Sequence, residues 1–401
     1  MTPQKHKRDT ATKGENMAQQ SKSQKKKNSG KTAASVILIP LIIAALGGGI
    51  YLAAKDVLGN RSEKPQSSDV TAEQQTDEAI TTATTSTTIT TTTTETLPAF
   101  PDKAMRSDTT YTITDTTKVL ARNSLLIECS GNGGTILAEH DADAEIYPAS
   151  MTKMMTLLTF SQLCAPEALD ATILMDAEVI RAQEEQMAYV AGFKAGEACR
   201  VRDLAYAMML PSGADAAVML ATYAAGSEAD FIAEMNQLAQ TMGLEHSHFD
   251  NVTGLHENTH TSSLHDIARI LMAAIRDPFC AEVMSTLQYT TAATAEHPNG
   301  IDLVSTTLSR MVGNELERLS DPLHVIGGKT GFTNPAGQCL ATWAQSDSGK
   351  TYICVVAGST TFQPLDAVGD VLTLYQLTER PLSDIQRIEL DEADLPLYEH
   401  Y

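Results

Sequence analysis

Three short strings stand in fixed order along the 401-residue chain: Ser150-Met151-Thr152-Lys153, Ser212-Gly213-Ala214 and Lys329-Thr330-Gly331. A hydroxyl one helical turn from an amine is a minimal pair for acyl transfer without histidine. Serine oxygen is a weak nucleophile at neutral pH and needs a base within hydrogen-bond reach. A lysine withdrawn from water gives up its proton more readily and can be that base. Spacing alone proves nothing, because Ser23 and Lys26 repeat it in a basic tail. Setting separates the two copies. Pro148 and Ala149 precede Ser150, and Met151, Met154, Met155, Leu157, Leu158 and Phe160 make the next stretch apolar nearly all round, as in a buried helix. Ser150 would open that helix with Lys153 on the same face. The structural alternative is an N-capping serine and a snorkelling lysine.

Ser212 ends one apolar stretch and precedes another that starts at Asp215, so its hydroxyl would sit at a junction of small residues, either relaying a proton to a leaving amine or capping a helix. Lys329 and Thr330 lie on an apolar strand with Gly327 and Gly328, which let another backbone approach. There they would form a carboxylate-binding pair, with Gly331 leaving the strand edge open to an extended substrate; the structural alternative is an exposed Lys-Thr on an edge strand.

The elements that must position these residues are legible as patterns. Apolar spacing of three and four predicts helices over 151–163, 201–210, 215–223, 231–242, 264–275 and 365–377. Short apolar runs predict strands over 124–129 and 135–139, joined as a hairpin around Gly131 and Gly134, and over 324–329, 338–344 and 351–357. Strands at both ends with helices between predict an α/β (α+β) fold, a mixed antiparallel sheet with flanking helices and an inserted helical cluster.

Before residue 116 the composition changes. Residues 1–31 carry nine Lys/Arg against two acidic residues in a chain of net charge −21, so the acidity belongs to the rest. Residues 32–54 are uncharged and long enough to cross a bilayer. With the basic flank inside, a single-pass signal anchor in the cell membrane would place the remainder outside the cytoplasm; a cleaved signal peptide fits less well, since its apolar region is shorter. Residues 55–115, rich in Thr, Ser and Pro, read as a disordered stalk. The catalytic domain is expected over 116–380 and a short acidic tail over 381–401. An acidic outer part lacks the basic footprint that nucleic acid requires. The six cysteines, 129, 164, 199, 280, 339 and 354, are flanked by apolar residues and read as small buried hydrophobes. His246, His248, His256, His260 and His265 crowd one segment, but no H-E-x-x-H or cysteine partner accompanies them, so no metal or other cofactor is expected.

From Ala121 to Leu374 the chain resembles the serine-type D-alanyl-D-alanine carboxypeptidases, low-molecular-mass penicillin-binding proteins of peptidase family S11. The three motifs carry the likeness, as do the segments Tyr147 to Thr156, Met235 to Gln240, Gly254 to His256 and Gly328 to Leu340. The resemblance implies the β-lactamase/penicillin-binding transpeptidase-like fold. It implies Ser150 as the acylated nucleophile, Lys153 as its base, Ser212 as proton relay, Lys329 and Thr330 as carboxylate binders, and the backbone N–H groups of Ser150 and Phe332 as oxyanion hole. The implied substrates are peptidoglycan stem peptides ending in D-Ala-D-Ala, with β-lactams as inhibitors. Two features depart from the family: Ala214 replaces the usual Asn, and only about twenty acidic-rich residues follow Glu379, where many relatives have a β-rich domain and an anchor helix. Ala214 predicts reduced activity, and leaves open a β-lactamase-like hydrolase or a catalytically weakened penicillin-binding wall sensor.

Overall fold

The structure, a computed structural model, describes residues 100–311, 315–359 and 365–390. The expected basic tail, membrane helix, most of the stalk and residues 391–401 lie outside the described residues. No helix among the described residues is long and apolar enough to cross a membrane.

Strands β1 (Met105–Thr112), β2 (Asn123–Ser130) and β3 (Gly133–His140) open the domain. Helix α1 (Thr152–Leu163), ribbon strand β4 (Thr172–Leu174), α2 (Ala177–Glu185) and strand β5 (Ala198–Arg200) follow. Next come α3 (Val201–Met209), α4 (Ala214–Ala225), α5 (Glu228–Met242), α6 (Leu264–Ala274) and α7 (Pro278–Met284). A second ribbon of β6 (Gln288–Thr290) and β7 (Asp302–Val304) leads back to β8 (Leu323–Thr333), β9 (Gly337–Ser346), β10 (Thr351–Ser359) and α8 (Asp366–Tyr375). The six-stranded sheet runs β1-β3-β2-β10-β9-β8, so strands from the two ends of the domain meet at β2 and β10. All its pairings are antiparallel except β1 with β3.

Both faces of this sheet are covered, which is why its central strands are near-continuous apolar runs. Leu125, Ile127, Ile353 and Val355 face the helical cluster, while the alternate residues Leu126, Tyr352, Cys354 and Val356 pack beneath α8. Helix α1 is the hub of the cluster and touches α3, α4, α5, α6 and α7. Its all-round apolar surface is therefore fully used, and Met151, Met154, Met155, Leu157, Leu158 and Phe160 are all buried. Helix ends follow local chemistry. Ser227 accepts the Asp230 amide at 3.0 Å, which starts α5 three residues before the expected 231. The left-handed Gly243 (φ 67°) ends it.

Two expected boundaries are corrected. The end of the stalk, residues 105–112, is a strand rather than disordered chain. Its sequence has no apolar alternate face and most of it is exposed, so polar contacts hold it: Thr110 Oγ1 donates to the Ile136 carbonyl at 2.6 Å, and Arg106 pairs with Glu139. Residues 381–390 are likewise not a free acidic tail. Ile385 is buried, Leu382 and Ile388 pack on the α8 side, and Arg387 donates to Asp370 at 2.6 Å. Charge counting missed the apolar residues recurring every three positions between the acids. All six cysteines are free thiols, four of them buried.

Asp370 ties three segments together, accepting the Leu120 and Ala121 amides at 2.7 and 2.9 Å as well as Arg387. Replacing it leaves a largely buried guanidinium and two amides without their acceptor. Asp370→Ala is expected to lower unfolding free energy by about 3 kcal/mol, read as a shift in the denaturant midpoint; an unchanged midpoint would contradict this role.

Candidate active site

Pro148 and the short 3-10 turn Ala149–Met151 turn the chain into α1, and Ala149 adopts a left-handed conformation (φ 47°), uncommon for a residue with a side chain. Neither structural alternative for the first motif holds. No side chain caps α1, and Lys153 does not snorkel but is 2% exposed. Its Nζ donates to Ser150 Oγ at 3.1 Å and to the Thr253 carbonyl at 2.7 Å. Burial pushes the amine down to about 7, with the Asp215 charge pulling the other way. A serine hydroxyl thus touches an amine that can be neutral near neutral pH.

A loop from α5 to α6 clasps this segment. Ile146 and Ser262 exchange backbone hydrogen bonds at 2.8 and 3.0 Å, the Tyr147 and His256 rings meet edge-on at 4.6 Å, and Val252 O accepts from Thr156 Oγ1 at 2.8 Å. His260 is hydrogen-bonded on both ring nitrogens: Nδ1 accepts the Asp250 amide at 3.1 Å, which leaves Nε2–H to donate to Thr152 Oγ1 at 2.8 Å. Burial lowers its pKa to about 4, so it is neutral. The crowded histidines thus serve separate contacts; His265, for instance, faces Glu139 and Asp143. Among the described residues no group of three His, Cys, Asp or Glu is placed to hold a metal ion.

Ser212 sits between α3 and α4 with φ 73° and is not a cap, since α4 is preceded by Gly213 with no side-chain hydrogen bond. Its Oγ is buried without a hydrogen-bond partner. Ala214 is buried, and its amide donates to the Tyr189 carbonyl at 2.8 Å.

Edge strand β8 forms the facing wall. Ser150, Ser212, Thr330, Gly331 and Phe332 line one cleft of about 300 Å³ together with Thr306, Arg310 and Gln338. Thr330 Oγ1 is hydrogen-bonded to Thr306 Oγ1 at 2.8 Å. A Cβ on Gly331 would come within 3.1 Å of the Ser150 amide nitrogen and 3.0 Å of the Pro148 carbonyl, so glycine keeps the space before that amide open. Lys329 is not at the cleft surface. It is fully buried, donates to the Thr330 carbonyl at 3.1 Å, and is pushed well below the ordinary lysine range by burial and by the charges of Lys153 and Arg310. The structure thus brings Ser150, Ser212, Thr330 and Phe332 to one cleft, with the two lysines behind its walls. Thr306, Arg310 and the Thr253 carbonyl carried no signal in the sequence, because each lies outside any motif, on a loop or a single 3-10 turn.

An edge strand facing a buried serine–lysine pair, on a mixed sheet with helices on both faces, is the arrangement of the β-lactamase-like fold. The crystal structure of the Streptomyces K15 DD-transpeptidase is similar, with a TM-score of 0.55 and 27% identity over 65% of this chain and 98% of that one. The chain belongs to the peptidase S11 family, D-alanyl-D-alanine carboxypeptidase, whose model matches residues 109–361. Relatives include D-alanyl-D-alanine carboxypeptidase DacF of Bacillus subtilis, 30% identical over 60% of this chain and 58% of its own length. DacA of Escherichia coli is 32% identical over 59% of this chain and 56% of its own length. The chain therefore spans little more than half of these curated relatives.

Gly254 locks the clasp onto the nucleophile turn. Its φ is +83°, and a Cβ there would lie 1.9 Å from the Ala149 carbonyl oxygen. Gly254→Ala is expected to cost at least about 2 kcal/mol of stability and to disturb the Ser150–Lys153 contact. A melting temperature equal to wild type would show that the loop does not press on Ala149.

Proposed function

We propose that this protein is a serine-type D-Ala-D-Ala carboxypeptidase that trims peptidoglycan stem peptides and is acylated by β-lactams. The observation that carries the reading is the buried Lys153 amine in contact with Ser150 Oγ inside the cleft. Neutral Lys153 takes the Ser150 proton as Oγ attacks the carbonyl of the terminal D-Ala-D-Ala bond. The developing oxyanion is held by the backbone N–H groups of Ser150 and Phe332. Ser212 relays a proton to the leaving amine, D-alanine departs, and water then hydrolyses the ester. Thr330 and Arg310, at the cleft surface, hold the terminal carboxylate, while buried Lys329 adds positive potential from behind the strand. A transpeptidase shares the acyl-enzyme and differs in using an amine as acceptor, so product analysis separates the two.

The chain's N-terminal part supports a location. Residues 32–54 as a single-pass anchor and a Thr-rich stalk would hold the domain at the outer face of the membrane, within reach of the wall. Detergent-dependent extraction of the full chain, lost on removing residues 32–54, is the expected result; extraction without detergent would contradict the anchor.

Three outcomes test the reading. Fluorescent penicillin and a D-Ala-D-Ala peptide are expected to label the protein and release D-alanine respectively, both lost in Ser150→Ala; absence of both in wild type would refute the activity. The acylation rate is expected to rise with pH through about 7 and then level, because the base is the neutral form of Lys153 and that form predominates above its pKa. A rate flat from about pH 5 to 9 would exclude Lys153 as the titrating base. Ala214→Asn is expected to raise acylation about tenfold, the worth of one added hydrogen bond to a charged or reacting group. No gain would mean that the absent amide does not limit the rate.

A further inference from the structure

The carbonyl that holds the Lys153 amine lies on a loop without helix or strand, and one side chain shapes that loop. Asn251 Oδ1 accepts the Thr253 amide at 3.2 Å, the Thr253 hydroxyl at 3.0 Å and the Gly254 amide at 2.7 Å, while its Nδ2 donates to the Leu255 carbonyl at 2.9 Å. Donors meet one end of the side-chain amide and an acceptor meets the other, so its orientation is fixed. The nucleophile segment leans on these same residues. Thr253 O accepts from Lys153 Nζ at 2.7 Å, and a Cβ on Gly254 would fall 1.9 Å from the Ala149 carbonyl oxygen. One polar side chain thus anchors both the partner of the base and the residue packed against the turn that carries Ser150.

We propose that Asn251 is a positioning residue of this reaction, which acts through the Thr253 carbonyl to aim the Lys153 amine at Ser150. The inference rests on the acyl-transfer reading above. A neutral amine has two hydrogens and one lone pair, and only the lone pair can take the Ser150 proton. A carbonyl oxygen accepts and never donates, so an amine hydrogen is committed to Thr253 and the lone pair cannot point there. That restraint turns the lone pair toward the side where Ser150 Oγ lies at 3.1 Å. After proton transfer the same carbonyl receives a charge-assisted bond from the ammonium. The restraint is as firm as the peptide that bears it. The Thr253 C=O and the Gly254 N–H belong to one planar trans peptide and point in opposite directions, so the grip of Asn251 on the Gly254 amide aims the carbonyl. Asn236 offers a contrast. It ties the same loop to α5 through the Ile232 and Phe249 carbonyls and the Phe249 amide, and none of these bonds reaches Thr253 or Gly254.

The test uses the full-length protein and compares wild type with Asn251→Ala, Asn251→Asp and Asn236→Ala. The readout is Ser150 labelling by a fluorescent penicillin at about pH 9, above the titration of the base, separated into its second-order rate constant and its end point. A variant that is merely unstable melts earlier or labels a smaller fraction, but its folded molecules react at the wild-type rate. In Asn251→Ala the rate constant is expected to fall about tenfold while labelling still runs to completion, the mark of a misaimed base in a folded domain. Asn236→Ala is expected to melt earlier with its rate constant unchanged. Asn251→Asp keeps an acceptor oxygen for Thr253 and Gly254 and is expected to react nearly as fast as wild type. An unchanged rate constant in Asn251→Ala, or an equal loss in Asn236→Ala or Asn251→Asp, would overturn the proposal. Should Asn251→Ala fail to fold, Asn251→Gln, which keeps the amide but displaces it by one methylene, decides the matter: a lowered rate constant with complete labelling supports the positioning role, and the wild-type rate constant refutes it. A wild type that does not label at any pH would instead overturn the acyl-transfer reading itself.

Discussion

The cost of burying one ammonium group organises this domain. Lys153 sits on the most enclosed helix of the fold, and removal of water brings its pKa down to about 7 from an ordinary 10.5, which corresponds to roughly 5 kcal/mol against the charged form. That penalty lets the amine be neutral near neutral pH, the form that can accept a proton. It falls on stability as well: the unfolded chain keeps this proton up to about pH 10, whereas the folded chain releases it above about 7. The folded state binds fewer protons across that window, so this residue destabilises it at neutral pH and less so as pH rises. The apolar packing around α1, from Met154 to Phe160, offsets the cost.

Such a lysine is useful only if its amine meets the nucleophile, and the chain achieves that by over-determining a strained turn. Ala149 is held at positive φ by Gly254 pressed on its carbonyl, by the Ile146–Ser262 pairing and by the Tyr147–His256 contact. The same loop supplies the Thr253 carbonyl that orients the Lys153 amine and the His260 ring that fixes Thr152. A segment without regular structure therefore does as much to shape the site as the helix that carries the motif.

The opposite wall divides its tasks between surface and interior. Thr330 and Arg310 are at the cleft, whereas Lys329 lies buried away from its surface. Burial, and then the charges of Lys153 and Arg310, push Lys329 well below the ordinary lysine range. Gly331 preserves the gap between the strand and the Ala149–Met151 turn.

The sequence alone determined the three motifs, their order, the buried character of α1 and the central strands, because one-turn spacing and apolar periodicity are local properties read along the chain. The resemblance to the family added roles for Ser150, Lys153, Ser212, Lys329, Thr330 and Phe332. Tertiary structure decided what no local pattern records. It made β1 a strand by lending it a neighbour, since a polar segment gains its pairing from β3 and not from its own side chains. It drew residues 381–390 onto α8, and set the histidine segment around the nucleophile turn. It also placed Lys329 behind the strand rather than in the cleft. These outcomes depend on which distant segments exclude water from one another, and that is fixed only when the chain closes on itself.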